Sequence, residues 1–275
     1  MSPNAIAGQF GHEIHVASAF RRKIGRVLAA ALIVAAIASA VLAQGGRGGG
    51  PGPQAAQSAQ ASAPIDLTGY WVSIVNEDWR WRMVTPPKGD VASVPLNAEG
   101  TKVANAWDPA TDGSCLAYGA AGLMRMPTRL NISWQDDRTI KIETDAGQQT
   151  RVLRFDAGTP PAQRSLQGYS VAQWEPAPQP GRGGGAPQVP KFGNLKVTTT
   201  NLTAGWLRKN GVPYSENATV TEYIDRFKAP NNDEWLVVTT IVSDPKYLNQ
   251  DFVTSTHFKK EPSGAKWSPS PCKPA

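Results

Sequence analysis

Residues 129–134, 139–144 and 149–155 alternate apolar with polar side chains, and turn residues separate them: Asp136, Asp137 and Arg138, then Asp145, Ala146 and Gly147. Successive side chains of a strand point to opposite faces, so a period of two marks strands with one face toward a core. Leu130, Ile132 and Trp134 share one face of the first segment, and Ile140 and Ile142 oppose Lys141 and Glu143 in the second. A chain patterned this way calls for a sheet whose inner face is covered.

The pattern extends in both directions. Residues 70–75 read as a first strand, with 79–84 continuing it after a bend and a turn at 86–90. Residues 165–174, 195–203, 218–227, 234–242 and 252–259 read as further strands, and an Asn210-Gly211 turn sits in 205–213. One short helix is expected at 97–107, with Asn97 as its cap and Asp108-Pro109 as its stop. The segment 108–123 reads as irregular. About nine or ten strands joined by short turns predict an all-β fold, a single antiparallel meander barrel, with a sandwich as the alternative.

Residues 1–43 look like an export signal. Arg21, Arg22, Lys23 and Arg26 precede an apolar run from Val27 to Val41, and Val41-Leu42-Ala43 offers a signal-peptidase site. A retained membrane anchor is the alternative, but the run is shorter than the roughly 20 apolar residues a span needs. Residues 44–63 hold Gly, Pro, Gln, Ala and Ser with no large apolar side chain, which predicts a disordered linker. The β-barrel domain is then expected at 64–275, with a Gly/Pro-rich loop at 176–190. The expected location is periplasmic or secreted.

Residues 1–43 hold four basic side chains and one acidic one. The rest of the chain keeps 24 of 28 basic and 21 of 22 acidic residues, a net charge of +3. That balance gives no reason to expect nucleic acid as a partner. Two cysteines in an exported chain suggest one disulfide, Cys115–Cys272, tying the C-terminus to an early loop.

Several residues are candidates for a site. In the run from Asn76 to Arg82, strand geometry would put Trp79 and Trp81 on one face and Arg80 and Arg82 on the other. The arginines then face solvent, or they face an anionic ligand at a barrel mouth, or they pair with Glu77 or Asp78. Arg125 and Arg129 would share a face opposite Leu130, Ile132 and Trp134, as solvated side chains or as a second ligand contact. Glu222 and Arg226 fall on the apolar face of their strand with Val220 and Ile224, which suggests a partly buried pair. If that face opens into a cavity, Glu222 is a candidate general acid or base, with Tyr223 and His257 as further proton-transfer groups. His257 is the one histidine after residue 43, so zinc and copper sites of the usual kind are not expected, nor is a Ser-His-Asp triad. No phosphate loop or dinucleotide fingerprint is present, and no cofactor is expected.

Six stretches taken together resemble a group of exported bacterial all-β proteins: Asp66-Leu-Thr-Gly-Tyr-Trp71, Asp78-Trp-Arg-Trp-Arg82, Gly122-Leu-Met-Arg-Met-Pro-Thr-Arg129, Gly205-Trp-Leu-Arg-Lys-Asn-Gly211, Tyr214-Ser-Glu-Asn217 and Thr256-His-Phe-Lys-Lys260. The resemblance spans about residues 64–272 and implies no particular activity. Gly69 and Trp71 also resemble the Gly-x-Trp opening of lipocalin-like barrels. There the Gly lets the backbone bend into the barrel and the Trp plugs one end.

These readings predict a barrel that binds a small hydrophobic or aromatic ligand, including one with an anionic group held by Arg80, Arg82, Arg125 or Arg129 beside Trp79 and Trp81. An alternative is a cofactor-independent lyase, isomerase or hydratase using Glu222, His257 or Tyr223. A second alternative is a cell-envelope interaction protein. Oligomeric state is left open.

Overall fold

The computed structural model describes residues 57–110, 112, 115–176 and 193–272. The expected signal segment at 1–43, most of the linker at 44–63 and nearly all of the loop at 176–190 lie outside the described residues.

Thirteen strands occur among the described residues. The first six in chain order are β1 (Gly69–Ile74), β2 (Arg129–Asp136), β3 (Thr139–Thr144), β4 (Ala146–Gly147), β5 (Thr150–Arg154) and β6 (Tyr169–Pro176). They are followed by β7 (Gly193–Thr200), β8 (Gly205–Arg208), β9 (Val212–Tyr214), β10 (Thr219–Lys228), β11 (Glu234–Ser243), β12 (Phe252–Glu261) and β13 (Ser270–Pro271). Nine of them close a barrel in the order β1-β12-β11-β10-β7-β6-β5-β3-β2. The expected barrel therefore forms, and the sandwich does not.

The order around the barrel follows the chain, as in a meander. One pair departs from antiparallel: β5 and β6 run parallel through Leu153↔Ser170 and Arg154↔Val171. An odd number of strands cannot alternate in direction all the way round a closed ring. One parallel pair is therefore obligatory, and the connection at 155–168 carries the chain back along the barrel to make it.

The start of β1 follows from two residues. Gly69 has φ +106°, a conformation that costs a side-chain-bearing residue energy, and it turns the chain into the barrel wall. Trp71 is fully buried, and its indole N–H donates to the Leu67 carbonyl at 2.9 Å. Lys260 lies over the Trp71 ring at 4.4 Å and donates to the Thr68 carbonyl. Around Trp71 pack Leu130, Ile132, Ile140, Leu195 and Phe258. At this end Trp134, Phe155 and Trp174 form an aromatic group with ring centroids 5.3–6.5 Å apart.

Side chains occupy the barrel axis. Trp71, Leu130, Leu153, Leu195, Val197, Val238 and Phe258 are 0 % exposed, so no water-sized void adjoins them. Next along the axis comes a polar layer, in which Arg151 and Glu222 pair beside Thr199 and Ser170. A second apolar cluster, including Val220, Val242 and Phe252, fills the far end.

That far end is capped. The cap comprises α1 (Trp79–Arg82), α2 (Ala98–Ala106), α3 (Ala120–Leu123) and the β8–β9 hairpin. The helix α2 starts as expected, with the Asn97 side chain accepting from Gly100 N at 2.9 Å. One expectation needs correction. Residues 79–82 form a helix rather than a strand, because Asp78 adopts φ +52° and ends the extended chain; Asp tolerates that left-handed geometry better than most residues. The β8–β9 hairpin stands outside the barrel wall. Near the cap, Cys115 and Cys272 are bonded with Cα atoms 5.7 Å apart, and β13 runs parallel to β4.

Candidate functional site

Three arginines from three separate segments meet under the cap. Arg82 ends α1, Arg125 follows α3, and Arg208 ends β8 just before the hairpin turn; each is at most 5 % exposed. The hairpin is fixed by its turn. Gly211 has φ +76° and backs onto the Trp107 ring, while the Asn210 amide donates to the carbonyls of Pro87 at 2.9 Å and Asp90 at 3.0 Å.

Arg82 is fully engaged. Its Nε donates to the Arg125 carbonyl at 2.8 Å, its Nη1 to Glu77 Oε1, and its Nη2 to Ser73 Oγ at 3.3 Å. Arg125 is half engaged. Its Nη1 meets Asp78 Oδ2 at 2.9 Å, while its Nη2 is buried without a partner among the described residues. Arg208 has no partner at Nε, Nη1 or Nη2 among the described residues, although it is only 2 % exposed. The face of Trp81 lies 4.6 Å from its guanidinium carbon, and the charges of Asp78 and Asp90 act on it without bonding it.

Burial, together with the like charge of Arg125, pushes the Arg208 guanidinium down to about 10, against the opposing pull of Asp78 and Asp90. Burial also lowers Arg82, against the opposing pull of Glu77. Buried charges are ordinarily paired, because an unpaired one forfeits its hydration. Here three buried guanidiniums are ion-paired by two carboxylates, Glu77 and Asp78; a third, Asp90, also acts on Arg208 but is bonded by Arg80 and Trp81. The geometry offers unpaired N–H donors and net positive charge beneath an indole face, which is chemistry for an anionic oxygen.

The expected ligand residues separate into two groups. Trp81, Arg82 and Arg125 come together in this cluster. Arg80 lies at its rim, 4.7 Å from the Trp81 ring centroid and paired with Asp90 at 2.9 Å, and Trp79, 63 % exposed, stays outside it. Arg129 lies on β2 and bonds Glu261 Oε2 at 2.9 Å. Arg125 and Arg129 do not share a strand face, since the α3 turn precedes Arg125.

The expected proton-transfer residues do not meet. Glu222 points into the barrel and is held by Arg151, not by Arg226, which instead pairs with Glu234 across the neighbouring strand at 2.9 Å. His257 sits between the inward-facing Thr256 and Phe258, faces outward, and approaches Glu77 Oε2 at 3.0 Å. Tyr223 also faces outward, with Lys196 5.6 Å from its ring. Among the described residues no group of three or more His, Cys, Asp or Glu could hold a metal ion.

Arg208 is the site residue that the sequence reading missed. The Asn210-Gly211 turn marked a hairpin, but a register shift between Trp206 and Arg208 decides which side chain turns inward, and local pattern does not show it. No protein-family model, no curated protein and no solved structure matches this chain.

Proposed function

We propose that this chain is an exported binding protein for a small organic acid, with the acidic group seated between Arg125 and Arg208 beneath Trp81. The observation that carries this reading is the buried guanidinium of Arg208, which has no hydrogen-bond partner among the described residues. Such a group stays costly until an anion meets it, which is the behaviour of a ligand site rather than of a structural arginine. The Cys115–Cys272 bond supports export, and no described helix is long and apolar enough to cross a membrane. The packed barrel axis favours a seat in the cap over one inside the barrel. The alternative acid–base chemistry has less support, because Glu222 is inside the barrel and His257 outside it.

Calorimetry and thermal melting of the oxidised protein with acetate, hexanoate, benzoate, phosphate and sulfate test the reading. Organic carboxylates should bind and raise Tm, and Arg208→Met should remove both effects. If no anion shifts Tm at millimolar concentration, or if the shift persists in both Arg208→Met and Arg125→Met, the reading fails.

A further inference from the structure

Three hollows adjoin at the capped end. The innermost, of about 10 Å³, is lined by Trp81, Arg82, Arg125, Met126 and Arg208 among others. It shares Arg82, Met126 and Lys209 with a second hollow of about 220 Å³. The second shares Met83, Pro127 and Ala146 with a third of about 480 Å³, which Val72 and Ile74 of β1 and Val75 also wall. Their shared walls set them in a row, a segmented cleft from the arginine cluster to β1, in the size range of small-molecule sites.

The two ends of the cleft differ in what they leave unbonded. At the inner end four guanidinium nitrogens lack partners among the described residues. At the outer end Ser73, Thr128, Arg129 and Asp145 already have bonding partners. Thr128 donates to Asp145 Oδ1 at 2.9 Å, Arg129 to Glu261 Oε2 at 2.9 Å, and Ser73 accepts from Arg82 at 3.3 Å. What remains for a ligand there is apolar wall. Met83 and Met126 flank the passage, and methionine adapts its shape to apolar chains. The innermost hollow has room for about one oxygen atom, which fits one oxygen of a planar carboxylate and is too small for a whole phosphate or sulfate group.

We infer that the cleft takes an amphiphilic carboxylate, with one carboxylate oxygen between Arg125 and Arg208 and an unbranched apolar chain running past Met126 and Met83 toward Ile74. This rests on the acid-binding reading above and narrows it from organic acids in general to aliphatic amphiphiles.

The test is a calorimetric series of straight-chain carboxylates from acetate to dodecanoate, each below its micelle concentration, with the matching alcohols, benzoate and a short apolar peptide bearing a free C-terminus. Affinity should rise roughly fourfold per methylene while the chain lies in the cleft, and the alcohols should bind at least tenfold more weakly than the acids. Ile74→Asn and, separately, Val75→Asn should flatten the chain-length series, while Arg208→Met should weaken every acid. Melting curves establish that each variant is folded. If acetate and benzoate bind but chain length brings no gain, the amphiphile inference falls and the acid-binding reading stands. If nothing binds, both fall. Alcohols that bind as well as acids, or a peptide that binds tighter than every alkyl acid, would overturn the amphiphile assignment.

Discussion

The Arg208 guanidinium lies 4.6 Å from the centroid of the Trp81 ring, buried, and no carboxylate among the described residues bonds it. Burial brings its titration in the folded chain down to about 10, below the ordinary arginine value. Between those two values the unfolded chain holds the extra proton, so stability rises with pH there; below pH 10 the penalty is present in full. Without ligand, Arg208→Met should therefore stabilise the protein at pH 7, by about 1–3 kcal/mol after the loss of the indole contact is counted. Urea unfolding of both oxidised proteins in anion-poor buffer measures this. A loss of stability in the variant would make Arg208 a structural residue.

Glu222 behaves differently because its partner is present. Arg151 reaches across the barrel interior and donates from Nη1 and Nη2 to the two carboxylate oxygens at 2.9 and 2.6 Å. Removing one member strands the other, so Glu222→Gln should cost about 3–5 kcal/mol. Replacing both, as Arg151→Met with Glu222→Leu, should recover most of that loss, because the layers on either side are apolar. Chemical denaturation of the two single variants and the double variant measures the coupling. Equal losses in the single and double variants would contradict it.

What was legible in the sequence was local. Gly69, Trp71, the Asn97 cap and the Asn210-Gly211 turn each act within a few residues, and each does what its neighbours imply. What was not legible depends on geometry between distant segments. Glu222 and Arg226 share a strand face, but four residues along a strand span about 13 Å, too far for an ion pair. The actual partner, Arg151, lies 71 residues earlier and two strands beyond the neighbouring strand. Trp79 to Arg82 alternates as a strand would, yet the left-handed turn at Asp78 coils it, leaving Trp79 exposed and Arg82 buried. Trp81, Arg82 and Arg125 were therefore visible as residue types, but their convergence on Arg208 was not.

The disulfide should matter to the cleft as well as to stability. Cys115 and Cys272 close a loop with a sequence separation of 157, for which chain entropy predicts up to about 5 kcal/mol. The tail held by Cys272 also supplies Ser268, Ser270 and Pro271 to the cleft walls. Reduction, or Cys115→Ser with Cys272→Ser, should lower Tm and weaken long-chain acids more than acetate. Melting curves and calorimetry on oxidised and reduced protein distinguish the two effects. A drop in Tm with an unchanged chain-length series would confine the bond to a stabilising role.

The position of Arg208 depends on the turn that follows it. Gly211 has φ +76°, and a Cβ there would fall onto the Trp107 ring. Gly211→Ala therefore meets both a backbone penalty and a clash with a buried indole, together about 2–4 kcal/mol. Because Trp107 is buried under α2 and cannot move freely, the hairpin is the element that should give way. That displacement carries Arg208 with it, so acid affinity should fall in Gly211→Ala protein that is still folded. A comparison with Gly89→Ala, also at positive φ but with its Cβ in ordinary contact with Asn105 Oδ1 at 3.8 Å, separates the two causes. Gly89→Ala should lose stability through the backbone alone and keep its affinity. Equal losses of affinity in both variants would mean that the turn geometry does not position Arg208.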